Sequence, residues 1–386
     1  MKVPSRKSSL GQSHLLVISQ VPPPVHGSTV MTAVFLRSLD DLGLKWTLID
    51  RRFSTSISAV GKFTPRKAFA AVGLMVRLVH AIVLKSPTMV VFFCTTRTVS
   101  FIVDWLLSEV IRAARLPSIN YIHTRGYRDL AERNPLLRFM VARMLGVASQ
   151  TVCLSPALYA DVSSWVPAGK VSFIANTPFN MPMDLSGRKT GPRRVTFLSN
   201  LIPGKGIDTF LQMAIGLAPR HPDVVFDVVG APGSTDEIVR LKEIVSAAGL
   251  AGRFNFAGAV HGAAKWAYLR RSALLVFSSQ SPSEAQPLSI IEAFACGTPV
   301  AAFKIGGIVD LIVHGQTGLL VEPISSDAML EAVDSLLATP GLLDAYGGQA
   351  ASEFSRRFSY ETYQGLWAVV LSCVGSRVSS DSLRAK

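Results

Sequence analysis

Residues 281–302 read SPSEAQPLSIIEAFACGTPVAA, and the fold of the chain is best inferred from this stretch outward. Residues 281–286 are polar and predict a loop. Pro287 suits the first position of a helix, because that position needs no backbone N–H. Residues 288–296 carry apolar side chains at helical spacing, and the strand-like run 299–302 follows a glycine.

A polar loop that opens a short buried helix leaves N–H groups pointing away from the first turn. Such a turn favours an anion, here at Leu288 and Ser289. Two carboxylates belong to the same stretch, Glu284 in the loop and Glu292 in the helix. Taken singly, Glu284 reads as a solvated loop acid and Glu292 as a polar break in an amphipathic helix. Glu292, however, has only apolar neighbours from 290 to 295, so it must be paired or functional.

The pair Glu284 and Glu292 resembles the Glu-x7-Glu signature of retaining, nucleotide-sugar-dependent glycosyltransferases of the GT-B fold, family four. The resemblance implies that Glu292 binds the ribose hydroxyls of the nucleotide and that Glu284 is a catalytic residue near the donor sugar. It also implies that the helix start at Leu288 and Ser289 faces the diphosphate. Glu-Ala-Gln-Pro stands here where Glu-Gly-Phe-Pro is commoner in the family.

Size and composition indicate two α/β domains. The 386 residues are 49% hydrophobic and 17% charged, which is enough to bury two cores. The net charge of +13 is uneven, because residues 1–186 hold 21 basic and 9 acidic residues and the remainder holds 18 and 17. The first half is therefore +12 and the second +1, as expected if only one half faces an anionic partner.

The cysteine and hydropathy patterns favour a cytoplasmic protein. The four cysteines are scattered, so no disulfide framework or zinc site is expected. The basic leader and the short apolar run 15–18 indicate a first strand rather than a signal peptide. The most apolar segment, 68–84, is interrupted by Arg77 and His80, so we expect no transmembrane helix.

The first strand ends in a glycine turn before a helix over 30–42, the usual opening of a Rossmann-like half. Relatives often carry Gly-Gly in this turn, where the backbone approaches the diphosphate. His26 and Gly27 stand there, so Gly27 is a candidate donor contact and His26 either donates a hydrogen bond or only packs.

His123 directly follows the strand over 118–122, the end at which α/β proteins place site residues. The resemblance implies a catalytic position for His123 close to the donor sugar. Arg125 in the following polar run is an open candidate.

The second half opens with a strand over 195–198 and the loop SNLIPGKG. In the family this loop carries an arginine and a lysine that contact the diphosphate. Lys205 matches the lysine, whereas Asn200 replaces the arginine and brings no charge. Further along, Gly306 and Gly307 resemble the glycine loop that follows the Glu-x7-Glu helix.

The resemblance, over about residues 14–372, implies two Rossmann-like doubly wound parallel-sheet domains facing a cleft. We place the acceptor-side domain at 1–186 and the nucleotide-sugar domain at 187–358. A helix over 359–374 is expected to return to the first domain, followed by a disordered tail over 375–386.

The resemblance implies transfer of a sugar from a nucleotide diphosphate sugar to a glycan or lipid-linked acceptor, with retention. No cofactor or metal is expected, since no Asp-x-Asp constellation is present. A non-catalytic membrane-peripheral binding protein of the same fold is the alternative. A nucleic-acid binder ranks last, because no basic-aromatic recognition motif appears.

Basic residues on two apolar helices, Arg66, Lys67, Arg77 and Lys85 on one and Arg138 and Arg143 on the other, predict docking on an anionic membrane. Each such side chain contributes roughly 1 kcal/mol at an anionic surface. We therefore expect a peripheral protein on the inner face of the plasma membrane. Alternatively, these charges only solubilise the domain or bind an acidic soluble glycan.

Overall fold

The computed structural model describes residues 13–23, 27–51, 65–182 and 191–384, with side chains described throughout except at 65–68 and 377–384. The chain forms two compact units. The first contains the residues up to Phe179 and those from Tyr360 onward, and the second spans Asn180–Ser359. The first unit thus ends a few residues before the predicted boundary at 186. The candidate residue His26 lies outside the described residues.

The first unit is built on a six-stranded parallel sheet with the strand order β2-β1-β3-β4-β5-β6. Its strands are β1 (His14–Ser19), β2 (Lys45–Asp50), β3 (Met89–Cys94), β4 (Ser118–Ile122), β5 (Gln150–Cys153) and β6 (Val171–Phe173). Its helices up to the domain boundary are α1 (Gly27–Asp41), α2 (Pro65–Lys85), α3 (Thr98–Ala113), α4 (Tyr127–Glu132), α5 (Pro135–Val147) and α6 (Pro156–Tyr159).

Successive side chains of each strand point to opposite faces of the sheet, so the helices pack on it in two layers. β3 reads MVVFFC and is buried throughout, as expected for a strand covered on both faces. Phe92 and Cys94 join the core that α2, α3 and α5 cover. Phe93 points the other way and contacts Phe35 of α1, with ring centroids 5.7 Å apart.

The second unit repeats this plan with the strand order β12-β11-β10-β7-β8-β9, again all parallel. Its strands are β7 (Arg194–Leu198), β8 (Val225–Val229), β9 (Phe254–Gly258), β10 (Leu274–Phe277), β11 (Val300–Phe303) and β12 (Gly318–Val321). Its helices are α7 (Ile207–Leu217), α8 (Thr235–Ala247), α9 (Gly262–Arg271), α10 (Leu288–Ala295), α11 (Ser326–Ala338) and α12 (Leu342–Glu353). The predicted α/β class with two Rossmann-like parallel sheets is confirmed.

The strand orders define where each sheet can bind a ligand. In the second sheet the chain winds outward from β7 through β8 to β9, then returns to the other side of β7 through β10. Such a reversal leaves a crevice at the carboxyl ends of the two strands that flank it. The loops after β7 and β10 border this crevice, and they are the loops that carry Lys205 and Glu284.

A long C-terminal helix, α13 (Tyr360–Arg384), belongs to the first unit. A π-helical turn, Phe354–Phe358, precedes it. Trp367 is fully buried and contacts Phe35 and Tyr121, at centroid distances of 4.6 and 4.9 Å. The Tyr360 hydroxyl donates a hydrogen bond to Asp41 at the end of α1 (2.6 Å). α13 therefore completes the α1 layer of the first unit.

The structure continues α13 to Arg384, and the disordered tail expected over 375–386 stays a prediction. These residues, GSRVSSDSLR, contain no proline. Once the packed segment before them has nucleated the helix, each added residue gains a backbone hydrogen bond without a new nucleation cost.

We expect Trp367→Ala to lower the free energy of unfolding of the first unit by about 3–5 kcal/mol, because it empties a buried aromatic site. Denaturant unfolding followed by fluorescence measures the loss. The neighbouring Leu366→Ala is the control, since Leu366 is 40% exposed. Equal losses for the two variants would contradict this packing role.

Candidate functional site

The loops after β7 and β10 are locked to each other by a close backbone approach. Gly206 has φ +82°, and a Cβ there would lie 1.8 Å from the carbonyl oxygen of Ser278. The Ser278 hydroxyl donates to the Gly206 carbonyl (2.7 Å), and the Gln280 N–H donates to the Gly204 carbonyl (3.0 Å). Only glycine fits at position 206, and the result is a fixed position for Lys205.

Lys205 and Glu284 meet at the mouth of this crevice. The Lys205 Nζ lies 2.5 Å from the Glu284 Oε1, and the Ser279 hydroxyl donates to the same oxygen at 2.7 Å. Glu284 is buried, whereas Lys205 is about one-third exposed. The sequence placed both residues in the site, and the structure brings them into direct contact.

The glycine loop after β11 holds the backbone of Glu284. The Gly307 N–H donates to the Glu284 carbonyl oxygen at 2.8 Å. Gly306 has φ +55°, and a Cβ there would lie 2.2 Å from the same oxygen. The described contacts of Gly306 and Gly307 are thus with the loop that carries Glu284, while their contact with a ligand stays a prediction.

Glu292 is almost completely buried in α10, among the apolar side chains that its sequence context predicts. The Lys265 Nζ, from α9, lies 2.5 Å from the Glu292 Oε1. Burial raises the pKa of Glu292, and the adjacent Lys265 ammonium opposes that rise. The expectation that Glu292 must be paired or functional is met by this ion pair, and its ribose role stays a prediction.

Lys265 is a partner of a candidate site residue that sequence reasoning missed. It comes 27 positions before Glu292 and belongs to no motif recognised in the sequence. Only the packing of α9 beside α10 brings the two together.

Half-buried Leu288 and Ser289 begin α10 after Pro287, so Pro287 is the residue before the helix rather than its first residue.

Asn200 lies exposed in the loop after β7 and adds no charge to the site. The charges of Lys205 and Glu284 cancel, so this loop pair is neutral in the ligand-free protein. A phosphate group that approaches Lys205 therefore competes with Glu284 for the same ammonium.

His123 belongs to the first unit, at the carboxyl end of β4. Its ring stacks on Phe93 (5.2 Å between centroids) and contacts Tyr121 (4.0 Å). Burial lowers the pKa of His123 to about 3, so the imidazole is neutral at pH 7. Its Nε2 has no hydrogen-bond partner among the described residues. The side chain can therefore serve as a neutral hydrogen-bonding group, not as a cation.

The remaining candidates of the first unit occupy loop or helix-start positions. Arg125 precedes Gly126, whose N–H donates to the Asp161 carboxylate at 2.8 Å, and this contact fixes the loop after His123. Gly27 is exposed at the start of α1, where a side chain would meet open space. The roles of Arg125 and Gly27 stay predictions.

A cavity of about 760 Å³ in the first unit lies at the opposite end of its sheet, beside the amino ends of β4 and β5. Arg112, Arg143 and Lys170 line it together with Glu109. Arg112 stands in the last turn of α3, and Lys170 reaches the Ala148 carbonyl just beyond α5. Cations are stabilised at helix carboxyl ends, and Arg112 and Arg143 also pair with Glu109, so this cluster is accounted for without a ligand.

Residues 184–353 match the family model described as glycosyl transferases group 1. The match covers nearly all of the second unit and includes the Lys205, Glu284, Lys265 and Glu292 contacts. The second unit is therefore similar to glycosyl transferases group 1 over nearly its whole length.

Curated relatives resemble the chain over similar lengths. The D-inositol 3-phosphate glycosyltransferase of Rhodococcus jostii is 35% identical over 178 residues, which are 45% of this chain and 38% of that protein. The lipopolysaccharide core biosynthesis mannosyltransferase LpcC of Rhizobium leguminosarum bv. viciae is 32% identical over 160 residues, 41% of this chain and 44% of the relative. The chain therefore spans less than half the length of these relatives.

Among solved structures, Anabaena Alr3699/HepE in complex with UDP matches 94% of this chain and all of that chain. Its TM-score is 0.71 at 18% sequence identity, so the likeness concerns the fold. Together with the two parallel sheets, it confirms the predicted GT-B fold.

We expect Glu284→Gln to tighten binding of a nucleoside diphosphate to the second unit by about threefold to tenfold. The substitution removes a negative charge near the proposed diphosphate position and releases Lys205. Calorimetric titration with uridine and guanosine diphosphates measures the change. Glu331→Gln, which removes an exposed carboxylate of the same domain, is the control. Weaker binding by Glu284→Gln would contradict the competition for Lys205.

Lys265→Met is expected to weaken donor binding about tenfold at neutral pH, the equivalent of roughly 1.4 kcal/mol. Without Lys265, the pKa of Glu292 rises further, and a protonated acid loses acceptor capacity for ribose hydroxyls. The loss should therefore grow as the pH falls from 8 to 6. Lys265→Arg keeps the charge and should retain most binding.

Lys242→Met, on the exposed face of α8, is the matched control for the loss of a lysine. A pH-independent loss in Lys265→Met would indicate that Lys265 acts only through direct ligand contact, and unchanged binding would remove it from the site.

Proposed function

We propose that the protein is a retaining glycosyltransferase of family four that moves a sugar from a nucleotide diphosphate sugar to a hydroxyl group. The observation that carries the proposal is the pair of lysine–carboxylate contacts, Lys205 with Glu284 and Lys265 with Glu292. Both belong to the unit that is similar to glycosyl transferases group 1, and the first borders the crevice between β7 and β10.

The proposed donor site distributes the nucleotide over these groups. Glu292 accepts hydrogen bonds from the ribose hydroxyls and Glu284 from the donor sugar. Lys205 and the first-turn N–H groups of Leu288 and Ser289 face the diphosphate. The solved complex of Anabaena Alr3699/HepE contains UDP, which supports a uridine nucleotide as a first ligand to test.

Transfer breaks the bond between the anomeric carbon and the diphosphate and forms a bond from that carbon to the acceptor oxygen. Negative charge develops on the departing diphosphate, where fixed cations and N–H groups lower the barrier most. The acceptor proton leaves with the diphosphate or passes to solvent. His123, neutral at pH 7, supplies a hydrogen bond to the sugar rather than a charge.

We further propose that the reaction needs no metal ion. Within the described ranges, no group of three or more His, Cys, Asp or Glu side chains is placed to hold one. Lys205 and the helix start of α10 would provide the positive potential instead.

We propose a glycan or lipid-linked saccharide as the acceptor, used in cell-surface polysaccharide or glycolipid synthesis at the inner face of the plasma membrane. The charge difference between the halves, +12 against +1, supports an anionic partner for the first domain. The name of the Rhizobium relative, a lipopolysaccharide core biosynthesis mannosyltransferase, supports the same class of product.

The donor assignment is tested with the full chain and a panel of nucleotide diphosphate sugars, read first as thermal shift and then as release of nucleoside diphosphate. We expect at least one donor to bind and turn over, and Glu292→Ala to weaken its binding roughly a hundredfold. Glu331→Ala is the control. Donor binding without release of nucleoside diphosphate, with any acceptor, would favour a non-catalytic binding protein.

The same assay, repeated after a chelator is added, tests whether turnover is independent of metal ions. Turnover should persist after removal of divalent ions. Turnover that disappears with the chelator and returns with magnesium or manganese would overturn that part of the proposal.

A further inference from the structure

Helix α2 carries apolar side chains on two opposite faces. One face, with Leu74, Leu78 and Ala81, is buried in the core of the first unit. The other faces solvent, with side chains 47–80% exposed. These five residues form what we call the α2 stripe: Phe69, Val72, Val76, Val79 and Val83.

The α2 stripe is continuous and narrow. At 100° per residue, its five members fall within an arc of about 80°, and it runs for about 21 Å along the helix. Arg77 and His80 border it on one side and are themselves exposed. A soluble helix usually places charged or polar residues on its outward face, so an apolar outward face of this length indicates a binding surface.

Two neighbouring helices also expose apolar side chains. α2, α3 and α5 cover one face of the first sheet and share one core. Their outward sides face away from the sheet together, and they expose Ile102 of α3 and Leu136 and Phe139 of α5. Exposed apolar side chains are thus present on all three helices of this layer.

The charges around this surface are mostly positive. The sequence of α2 has four basic and no acidic residues, and that of α5 has two basic and no acidic residues. In α3, Asp104 is fully buried, and Glu109 is bonded to Arg112 and Arg143. A partner of this surface therefore needs an apolar interior that the side chains can enter and a negatively charged surface above it.

We propose that the α2 stripe docks on an anionic lipid surface, with its valine and phenylalanine side chains inserted below the headgroups. An apolar helix face bordered by basic residues is the form that binds such an interface. No helix in the described part of the chain has the length and hydropathy to cross a bilayer. The inference rests on the proposed function in one respect: docking brings the protein to the lipid-linked acceptor proposed above.

This mode of attachment differs from a purely electrostatic one. Arg143 is engaged by Glu109, and Arg77 donates to the Asp50 carbonyl. The basic residues therefore attract and orient the protein, and the stripe provides the part of the affinity that salt does not screen.

Flotation of the full chain with vesicles tests the proposal without donor or acceptor, so its outcome is independent of whether the protein transfers sugar. Vesicles of phosphatidylcholine are compared with vesicles that also contain phosphatidylglycerol, at low and high salt. The wild type should float with the anionic vesicles and keep a substantial bound fraction at high salt.

Two paired substitutions separate insertion from charge. Val76→Asp with Val83→Asp should reduce the bound fraction at least tenfold at low salt. Val76→Thr with Val83→Thr, which preserves shape without adding charge, should remove mainly the salt-resistant fraction. The control is Val239→Asp with Val369→Asp, which adds the same charge at exposed apolar positions on α8 and α13.

Three results would overturn the proposal: no flotation of the wild type with anionic vesicles, equal loss in the control pair, or flotation unchanged in both stripe pairs. A wild-type dimer that Val76→Asp with Val83→Asp converts to a monomer, without vesicle binding, would assign the stripe to a second copy of the chain. Sedimentation of the same samples provides that measurement.

Discussion

The parallel direction of the strands is the constraint on which the candidate site depends. When helices cover both faces of a parallel sheet, its strands are buried along their whole length. Polar side chains are therefore found mainly in the loops beyond the ends of the strands. Because all strands of the second sheet point the same way, the loops after β7 and β10 emerge side by side. Lys205 and Glu284, 79 positions apart in the chain, meet there for that reason.

Close backbone contacts hold the two loops so that Lys205 Nζ lies 2.5 Å from Glu284 Oε1. Gly206 lies against Ser278 so closely that no side chain fits, and Gly306 does the same against Glu284. These two contacts join three loops at the edge of one sheet, so the lysine and the carboxylate are positioned by main chain rather than by flexible side-chain packing. Their ion pair then sets the electrostatic state that a phosphate group encounters.

Much of the fold followed from sequence because strand, glycine turn and helix alternate with clear periodicity. The burial of Glu292 also followed, since its neighbours from 290 to 295 are apolar. Its partner did not, because Lys265 contacts it only through the packing of α9 on α10. The solvent-facing side of α2 was missed for a related reason: an apolar helix in a sequence gives no indication of which of its faces the sheet will cover.

The return of α13 to the first unit has a consequence for synthesis of the chain. The aromatic side chains Phe35 and Tyr121 belong to the first third of the sequence, yet Trp367, which covers them, is near the end. On the ribosome the entire second unit is made between them, an interval on the order of tens of seconds. During that interval the nascent first unit has an uncovered apolar face, so it is exposed to chaperones and to self-association until the last helix emerges.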